Sequence, residues 1–354
     1  MKPLLYSLAF FATATQAADL AQCQTIAEDS ARLACYDHLA ASATPAAPAV
    51  EIVAEQSSVQ PLSVAAPADV IAQAEPALVY QAETMALRWE LDADAQDGVF
   101  NIKPYQPVYI LPFSIREHVN RSPCSSVMRT CAQNVGDGYK KYEAKFQLSF
   151  KTKFWQDILG SDIDLWGAYT QQSYWQVYDV ENSAPFRTTD YKPEMWATIP
   201  VDLGPDWLKL RMINLGFAHQ SNGQSDPLSR SWNRLYASVG LTSGDASIIV
   251  KPWWRVTEKP EKDDNPDMED YAGRMETLIS VPWQDHVFAL TWRNNLRFNS
   301  SVPNRSSWQL EWAFPLLGRL HGYVQAFDGY GDSMHDYNFK NRGVALGVSL
   351  VNWH

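Results

Sequence analysis

Residues 145–154 alternate without a break: Lys145, Gln147, Ser149, Lys151 and Lys153 against Phe146, Leu148, Phe150, Thr152 and Phe154. A strand sends successive side chains to opposite faces, so a period of two separates these sets completely. One face is apolar and the other charged, and such a strand lies half-buried against something apolar. The pattern recurs. Trp308, Leu310, Trp312 and Phe314 alternate with Gln309, Glu311 and Ala313, and Ile248, Val250, Pro252, Trp254 and Val256 with Ile249, Lys251, Trp253 and Arg255. A last strand is predicted over Gly343–Trp353.

The identity of the apolar partner follows from composition. The chain carries 14 Trp, 16 Tyr and 14 Phe, yet its mean hydropathy is only -0.30. A transmembrane β-barrel has this balance, because only alternate positions meet lipid and aromatics gather at both interfaces. Roughly 270 residues of such sequence supply about twelve antiparallel spans. No helical pattern intervenes between the strands, which argues against a parallel α/β sheet. A soluble sandwich or jelly roll is the alternative, and the heavily charged polar faces weigh against it. The net charge of -11 argues against a nucleic-acid partner.

Residues 1–17 read as a secretory signal peptide and imply export through the Sec pathway. Lys2 supplies the charge, Leu4–Ala14 the apolar stretch, and Thr15 and Ala17 the small cleavage-site residues. That stretch is far short of the ~20 residues a spanning helix needs. The four cysteines fall into local pairs, Cys23/Cys35 and Cys124/Cys131, and local disulfides are expected in an exported chain. On one straight helix Cys23 and Cys35 would stand ~18 Å apart, too far to bond. The segment 18–39 is therefore expected to turn back near Asp29–Ser30 as a helical hairpin. Residues 40–84, rich in Ala, Pro, Val, Ser and Gln, read as a flexible linker. The barrel is expected over 85–354, with alternation beginning near residue 85.

The chemistry concentrates in HQSNGQSDPLSRSWNRLY, residues 219–236. His219 and Ser221 share a strand face with Ile213, Leu215 and Phe217. Asn233 shares a face with Leu235, Ala237 and Val239 on the strand that follows. All three polar residues thus lie on the apolar, lipid-facing side, near a loop. Unpartnered polar groups there cost several kcal/mol, so the three are expected to satisfy one another. Ser221 suits a nucleophile, His219 its general base and acid, and Asn233 the group that holds the imidazole tautomer. Gly223 allows its backbone N–H to approach a developing oxyanion. The loop residues Ser221, Asn222, Gln224, Ser225, Asp226 and Ser229 offer oxygen donors that suit Ca²⁺. A second acidic loop, KDDNPDMED, follows at 262–270. Each piece alone has a bland reading: an interfacial polar pair, a solvated loop, an exposed acidic run.

The combination resembles the outer membrane phospholipase A family of Gram-negative bacteria. The resemblance spans most of residues 95–354 and includes GAYTQQSYWQ (167–176), SAPFRTTDY (183–191), VKPWW (250–254), DDNPD (263–267) and GYGDSMHDYNFKNR (329–342). It implies a twelve-stranded barrel of the bacterial outer membrane, and a calcium-dependent hydrolase of phospholipid and lysophospholipid acyl esters that is active as a homodimer. By motif position, Ser221, His219 and Asn233 match the catalytic triad and Gly223 the oxyanion donor. The catalytic calcium would be held by the Ser229 hydroxyl, the carbonyl of Gln224 and the Ser183 carbonyl of a second copy. Asp226 and Asp264 match a second, loop calcium site, and Gln171 a polar residue at the dimer interface. Two features depart from the pattern: Gln224 stands where the family usually has Arg, and the chain ends in Trp353-His354 rather than a terminal Phe. A non-enzymatic channel or structural barrel is the alternative function; it has no need of a lipid-facing triad. A soluble esterase is disfavoured by the absence of a G-x-S-x-G elbow.

Overall fold

The computed structural model of the chain describes residues 23, 26, 28–42, 84–124, 138–298, 301–351 and 353. The chain divides into two units, Met1–Ala72 and Gln73–His354. In the first, helix α1 spans Asp29–Ser42, and a disulfide joins Cys23 to Cys35 with their Cα atoms 5.7 Å apart. Ile26 and Glu28 are not helical, and Arg32 closes the bend by donating to the Ile26 carbonyl at 3.1 Å. Cys124 in the second unit is also disulfide-bonded; its expected partner, Cys131, lies outside the described residues. So do the predicted signal peptide and nearly all of the predicted linker.

The second unit is a closed antiparallel barrel of twelve long strands. In chain order they are β1 (Val108–Arg116), β2 (Tyr142–Trp155), β3 (Asp164–Trp175), β4 (Phe186–Leu203), β5 (Lys209–Ser221), β6 (Ser231–Ser243), β7 (Ala246–Val256), β8 (Met275–Trp283), β9 (His286–Asn294), β10 (Ser306–Leu317), β11 (Leu320–Gly329) and β12 (Asn341–Val351). Each pairs with its sequence neighbours, and β12 returns to β1 with Val344 opposite Ile115. Closure removes the edges that would leave backbone groups unpaired in lipid. The connections 176–185, 222–230, 257–274 and 330–340, with the described parts of 117–141 and 295–305, gather at one end. At the other end most are tight, such as 244–245, 284–285 and 318–319.

Alternation decides which side faces out. On β2, Lys145, Gln147, Ser149, Lys151 and Lys153 are buried in the barrel while Leu148, Phe150 and Phe154 are exposed. On β10, Glu311 and Ala313 point inward and Trp308, Leu310 and Trp312 outward. The outward belt is dominated by exposed apolar residues, and such a surface is stable only against lipid or another apolar body. Aromatics mark both ends. Trp292 stacks on Trp308 near the long loops, and His286 on Trp312 near the short turns. Among the described residues no helix is long and apolar enough to span a membrane.

The interior is ionic. Arg187 joins Glu143 at 2.9 Å to Asp336 at 2.7 Å; Lys251 meets Glu194 at 2.7 Å; Arg293 meets Glu276 at 2.8 Å. Every buried charge therefore needs its partner, since an unpaired ion in this setting is strongly destabilising. Residues 84–107 do not begin the alternation expected there. Apart from a two-residue pairing of Lys103–Pro104 with β2, they form an inner segment that is buried at Met85, Trp89, Glu90, Leu91 and Tyr105 and exposed at Val99, Phe100 and Ile102. Helix α2 (Met85–Trp89) begins at an N-cap Thr84 and ends at Glu90 in the left-handed conformation. Trp89 packs edge-on against Trp196 and Tyr105, and the Lys151 ammonium sits 4.2 Å from its ring. Deeper in the lumen a cavity of about 110 Å³ remains, lined by Lys192, Arg234, Glu276 and Arg293 among others. The helical start of the segment reflects Met85–Trp89 lacking any period-two pattern, which the barrel wall requires.

Candidate active site

Strand β5 carries His219 and Ser221 on the outward face that also presents Leu215 and Phe217, 54% and 42% exposed. Met212, Asn214 and Ala218, on the other parity, are buried inside. On β6, Asn233 shares the outward face with Leu235, 55% exposed. The β5–β6 register sets His219 directly opposite Asn233 and Ser221 opposite Ser231. Directly opposed side chains lie within contact reach, and the His219 Nδ1 to Asn233 Oδ1 distance is 2.9 Å. With a carbonyl oxygen as acceptor, Nδ1 carries the proton and Nε2 is the basic nitrogen. Among the described residues no hydrogen bond joins the Ser221 hydroxyl to the imidazole; catalytic hydrogen bonds commonly tighten only with substrate present. Tyr191 on β4 stands opposite Ser221 from the other side.

The loop 222–230 is shaped by Asn222, which is buried. Its Oδ1 accepts from the Arg230 N–H at 2.9 Å and the Gln224 N–H at 3.3 Å, and its Nδ2 donates to the Leu228 carbonyl at 2.8 Å. The Asn222 side chain, one of the oxygen donors expected for calcium, is thus committed to closing the loop. Gly223 follows at φ 64°, where a side chain is strained, and an added Cβ would lie 3.1 Å from the Tyr191 ring. The Gln224 amide reaches inward, 3.3 Å from the Arg187 carbonyl and 3.3 Å from His335 Nδ1. Burial pushes the His335 imidazole, in loop 330–340, down to about 4, so Gln224 faces a neutral ring at pH 7.

The predicted metal-binding residues come together in part. The Ser229 hydroxyl donates to the Asp264 carboxylate, so loops 222–230 and 257–274 meet. Asp263 instead pairs with Arg255 at 2.5 Å, and buried Asn265 accepts the Ser231 N–H at 2.9 Å, latching the second loop onto β6. Asp226 is exposed on the first loop, and Ser183 is exposed on loop 176–185; no described contact links Ser183 to Ser229 within one chain. Among the described residues no three His, Cys, Asp or Glu side chains gather as a metal cluster. The hard oxygens of Ser229 and Asp264, side by side, nevertheless fit the donor chemistry of calcium. Gln171 lies on the outward face of β3, accepting from the Tyr169 hydroxyl and donating to Ser173 Oγ, both at 3.3 Å.

Sequence reasoning missed one contact at the site: Asn233 Nδ2 donates to Glu258 Oε1 at 3.1 Å. Glu258 lies just beyond β7, two residues past Val256, which pairs with Asn233. Only the β6–β7 register brings it there.

A model of the phospholipase A1 family matches residues 85–350. The chain belongs to the phospholipase A1 family. As a member it is a phospholipid-hydrolysing enzyme. A putative phospholipase A1 of Neisseria meningitidis is 35% identical over 357 residues, covering 92% of this chain and 89% of the relative. The phospholipase A1 of Escherichia coli K12 is 35% identical over 254 residues, covering 72% of this chain and 83% of the relative. Outer membrane phospholipase A from Escherichia coli superposes with a TM-score of 0.64 at 33% identity, over 73% of this chain and 94% of that one. A Salmonella typhi outer membrane phospholipase dimer with bound calcium superposes with a TM-score of 0.64 at 32% identity, over 73% and 95%. All candidate site residues fall within the phospholipase A1 match. The Neisseria relative covers too much of this chain to stop at residue 85, so the N-terminal unit has a counterpart in at least one family member.

Proposed function

We propose that this family member is a calcium-dependent serine hydrolase of the outer membrane, exported through the Sec pathway and active as a homodimer. It cleaves the acyl esters of phospholipids and lysophospholipids. The carrying observation is the 2.9 Å contact of His219 Nδ1 with Asn233 Oδ1, on an outward face beside exposed Leu215 and Phe217. A triad on the lipid-facing wall addresses an ester at the membrane interface rather than a soluble substrate.

Ser221 Oγ attacks the ester carbonyl while His219 Nε2 takes its proton. Asn233 Oδ1 holds the Nδ1 proton and steadies the imidazolium, adding no charge where an unpaired carboxylate would be expensive. The Gly223 N–H meets the oxyanion. His219 then protonates the departing alcohol, and water, deprotonated by the same nitrogen, releases the fatty acid from Ser221. The Ser229 hydroxyl and Gln224 carbonyl would hold calcium together with the partner subunit's Ser183 carbonyl; Asp226 and Asp264 would hold a second ion. When bound, calcium supplies positive charge near the oxyanion. Gln171 is proposed to lie at the dimer interface. A channel function is less well supported, because α2 and paired charges occupy the lumen.

The test is fatty-acid release from mixed micelles by refolded protein, with calcium and with chelator. Wild type with calcium is expected to turn over. Ser221→Ala is expected to be inactive while still folded, since one half-exposed hydroxyl contributes little to stability. Near-normal turnover by Ser221→Ala would refute the mechanism.

A further inference from the structure

We infer that Glu258 is a positioning residue: its carboxylate fixes the orientation of the Asn233 amide and thereby the tautomer of His219. The inference rests on the proposed roles of Ser221, His219 and Asn233. An asparagine amide is nearly symmetric in shape, and its oxygen and nitrogen exchange places by a half-turn about one bond. The two orientations are chemically opposite. With Oδ1 toward His219, Nδ1 must donate and Nε2 is left as the base. With Nδ2 toward His219, Nδ1 must accept, and the proton sits on Nε2, where it cannot receive another from Ser221.

Some group on the far side of the amide has to distinguish these states. In the barrel that group is Glu258, whose Oε1 lies 3.1 Å from Asn233 Nδ2. An ionised carboxylate only accepts, so it pairs with the flipped-in nitrogen and rejects the oxygen. A charge-assisted bond is roughly twice as strong as a neutral one, and its electron density passes through the amide to Oδ1. The placement follows from the fold. Val256 pairs with Asn233 across β6 and β7, residue 258 continues on the same parity, and the chain then turns with the Lys262 and Asp263 N–H groups on the Lys259 carbonyl. The same loop sends Asp264 to Ser229. One loop therefore sets both the His219 tautomer and a face of the proposed calcium site. The negative charge also explains why a neutral Asn suits position 233: an aspartate there would face Glu258 at close range.

The experiment measures kcat and KM on phospholipid micelles with saturating calcium, for Glu258→Gln and Glu258→Ala in three backgrounds: wild type, Asn233→Ala and Asn233→Asp. Barrel folding of each variant is checked by heat-modifiable migration. In the wild-type background both changes are expected to lower kcat about fivefold to tenfold, with KM unchanged. In Asn233→Ala there is no amide to orient, and no further loss is expected. In Asn233→Asp both outward atoms are oxygens that Glu258 repels, so Glu258→Gln is expected to raise kcat. A merely structural loop residue would lower kcat by the same factor in every background. Wild-type kcat in both single variants, or the same fractional loss in all three backgrounds, would overturn the inference. Failure of the triad itself would show separately, as residual full activity in Ser221→Ala.

Discussion

At the scale of single residues, orientation outweighs stability. Asn233→Ala removes the Nδ1 partner and leaves Ser221 and His219 themselves in place. Its kcat is expected to fall strongly, by about tenfold or more, with measurable residual activity. A loss of no more than about twofold would mean that another group orients His219. Gly223 is constrained twice, by φ 64° and by the Tyr191 ring at 3.1 Å from any added Cβ. Gly223→Ala is expected to cost about 1–2 kcal/mol of local strain and to lower kcat at least about tenfold by moving the oxyanion donor. Unchanged kcat in steady-state assays would remove Gly223 from the mechanism. His219, Ser221 and Asn233 were legible in the sequence because a period of two assigns faces with no further information. Glu258 was not, because its contact depends on which residue of β7 faces Asn233. Asn222 was half legible for a related reason: its oxygen chemistry is visible in sequence, but its burial and its four loop hydrogen bonds are not.

Among elements, the strands announced themselves and the inner segment did not. Phe146–Phe154 and Trp308–Phe314 sit between lipid and an ionic lumen, so their two faces differ sharply in sequence. Residues 84–107 carry no such division: Met85, Trp89, Leu91 and Tyr105 are buried while Val99, Phe100 and Ile102 are exposed, in no period of two. What holds it is charge. Glu90 bonds Lys153 at 2.8 Å and Lys103 at 2.5 Å. Burial pushes the Glu90 carboxyl up, but the Lys103 and Lys153 ammonium groups more than offset this and hold it below its ordinary 4.5. A carboxyl depressed in the folded state contributes stability that is present above its unfolded value and is lost as pH falls through the folded one. Acid below about pH 4.5 is therefore expected to loosen the segment. Glu90→Gln is expected to lower stability at pH 7 by about 1–3 kcal/mol and to flatten this acid limb. Urea unfolding in detergent, followed by tryptophan emission at pH 7 and pH 4, checks both. Equal stability of the two proteins at pH 7 would contradict the ion-pair account.

For the whole molecule, the barrel turns an ordinary globular protein inside out, and the site follows that inversion. The proposed nucleophile, Ser221, faces outward, on the side where a lipid ester would lie. The long-loop end gathers Asp226, Ser229 and Asp264, and the proposed catalytic calcium needs the Ser183 carbonyl of a second copy. If so, metal binding and dimerisation are one equilibrium, and each strengthens the other by the same factor. Sedimentation in detergent with a substrate analogue is expected to show dimer with calcium and monomer with chelator. A dimerisation constant indifferent to calcium, or a fully active monomer, would leave calcium as a one-chain ion. Everything proposed for the site depends on Ser221 acting as a nucleophile on the lipid-facing wall. That role is tested most directly by treating the folded protein in detergent with a sulfonyl fluoride and mapping the adduct by mass spectrometry while turnover is followed. One sulfonyl group on Ser221 is expected, with labelling and loss of turnover in step; an unlabelled Ser221 in inactivated protein, or full turnover in protein labelled there, would rule the nucleophile out.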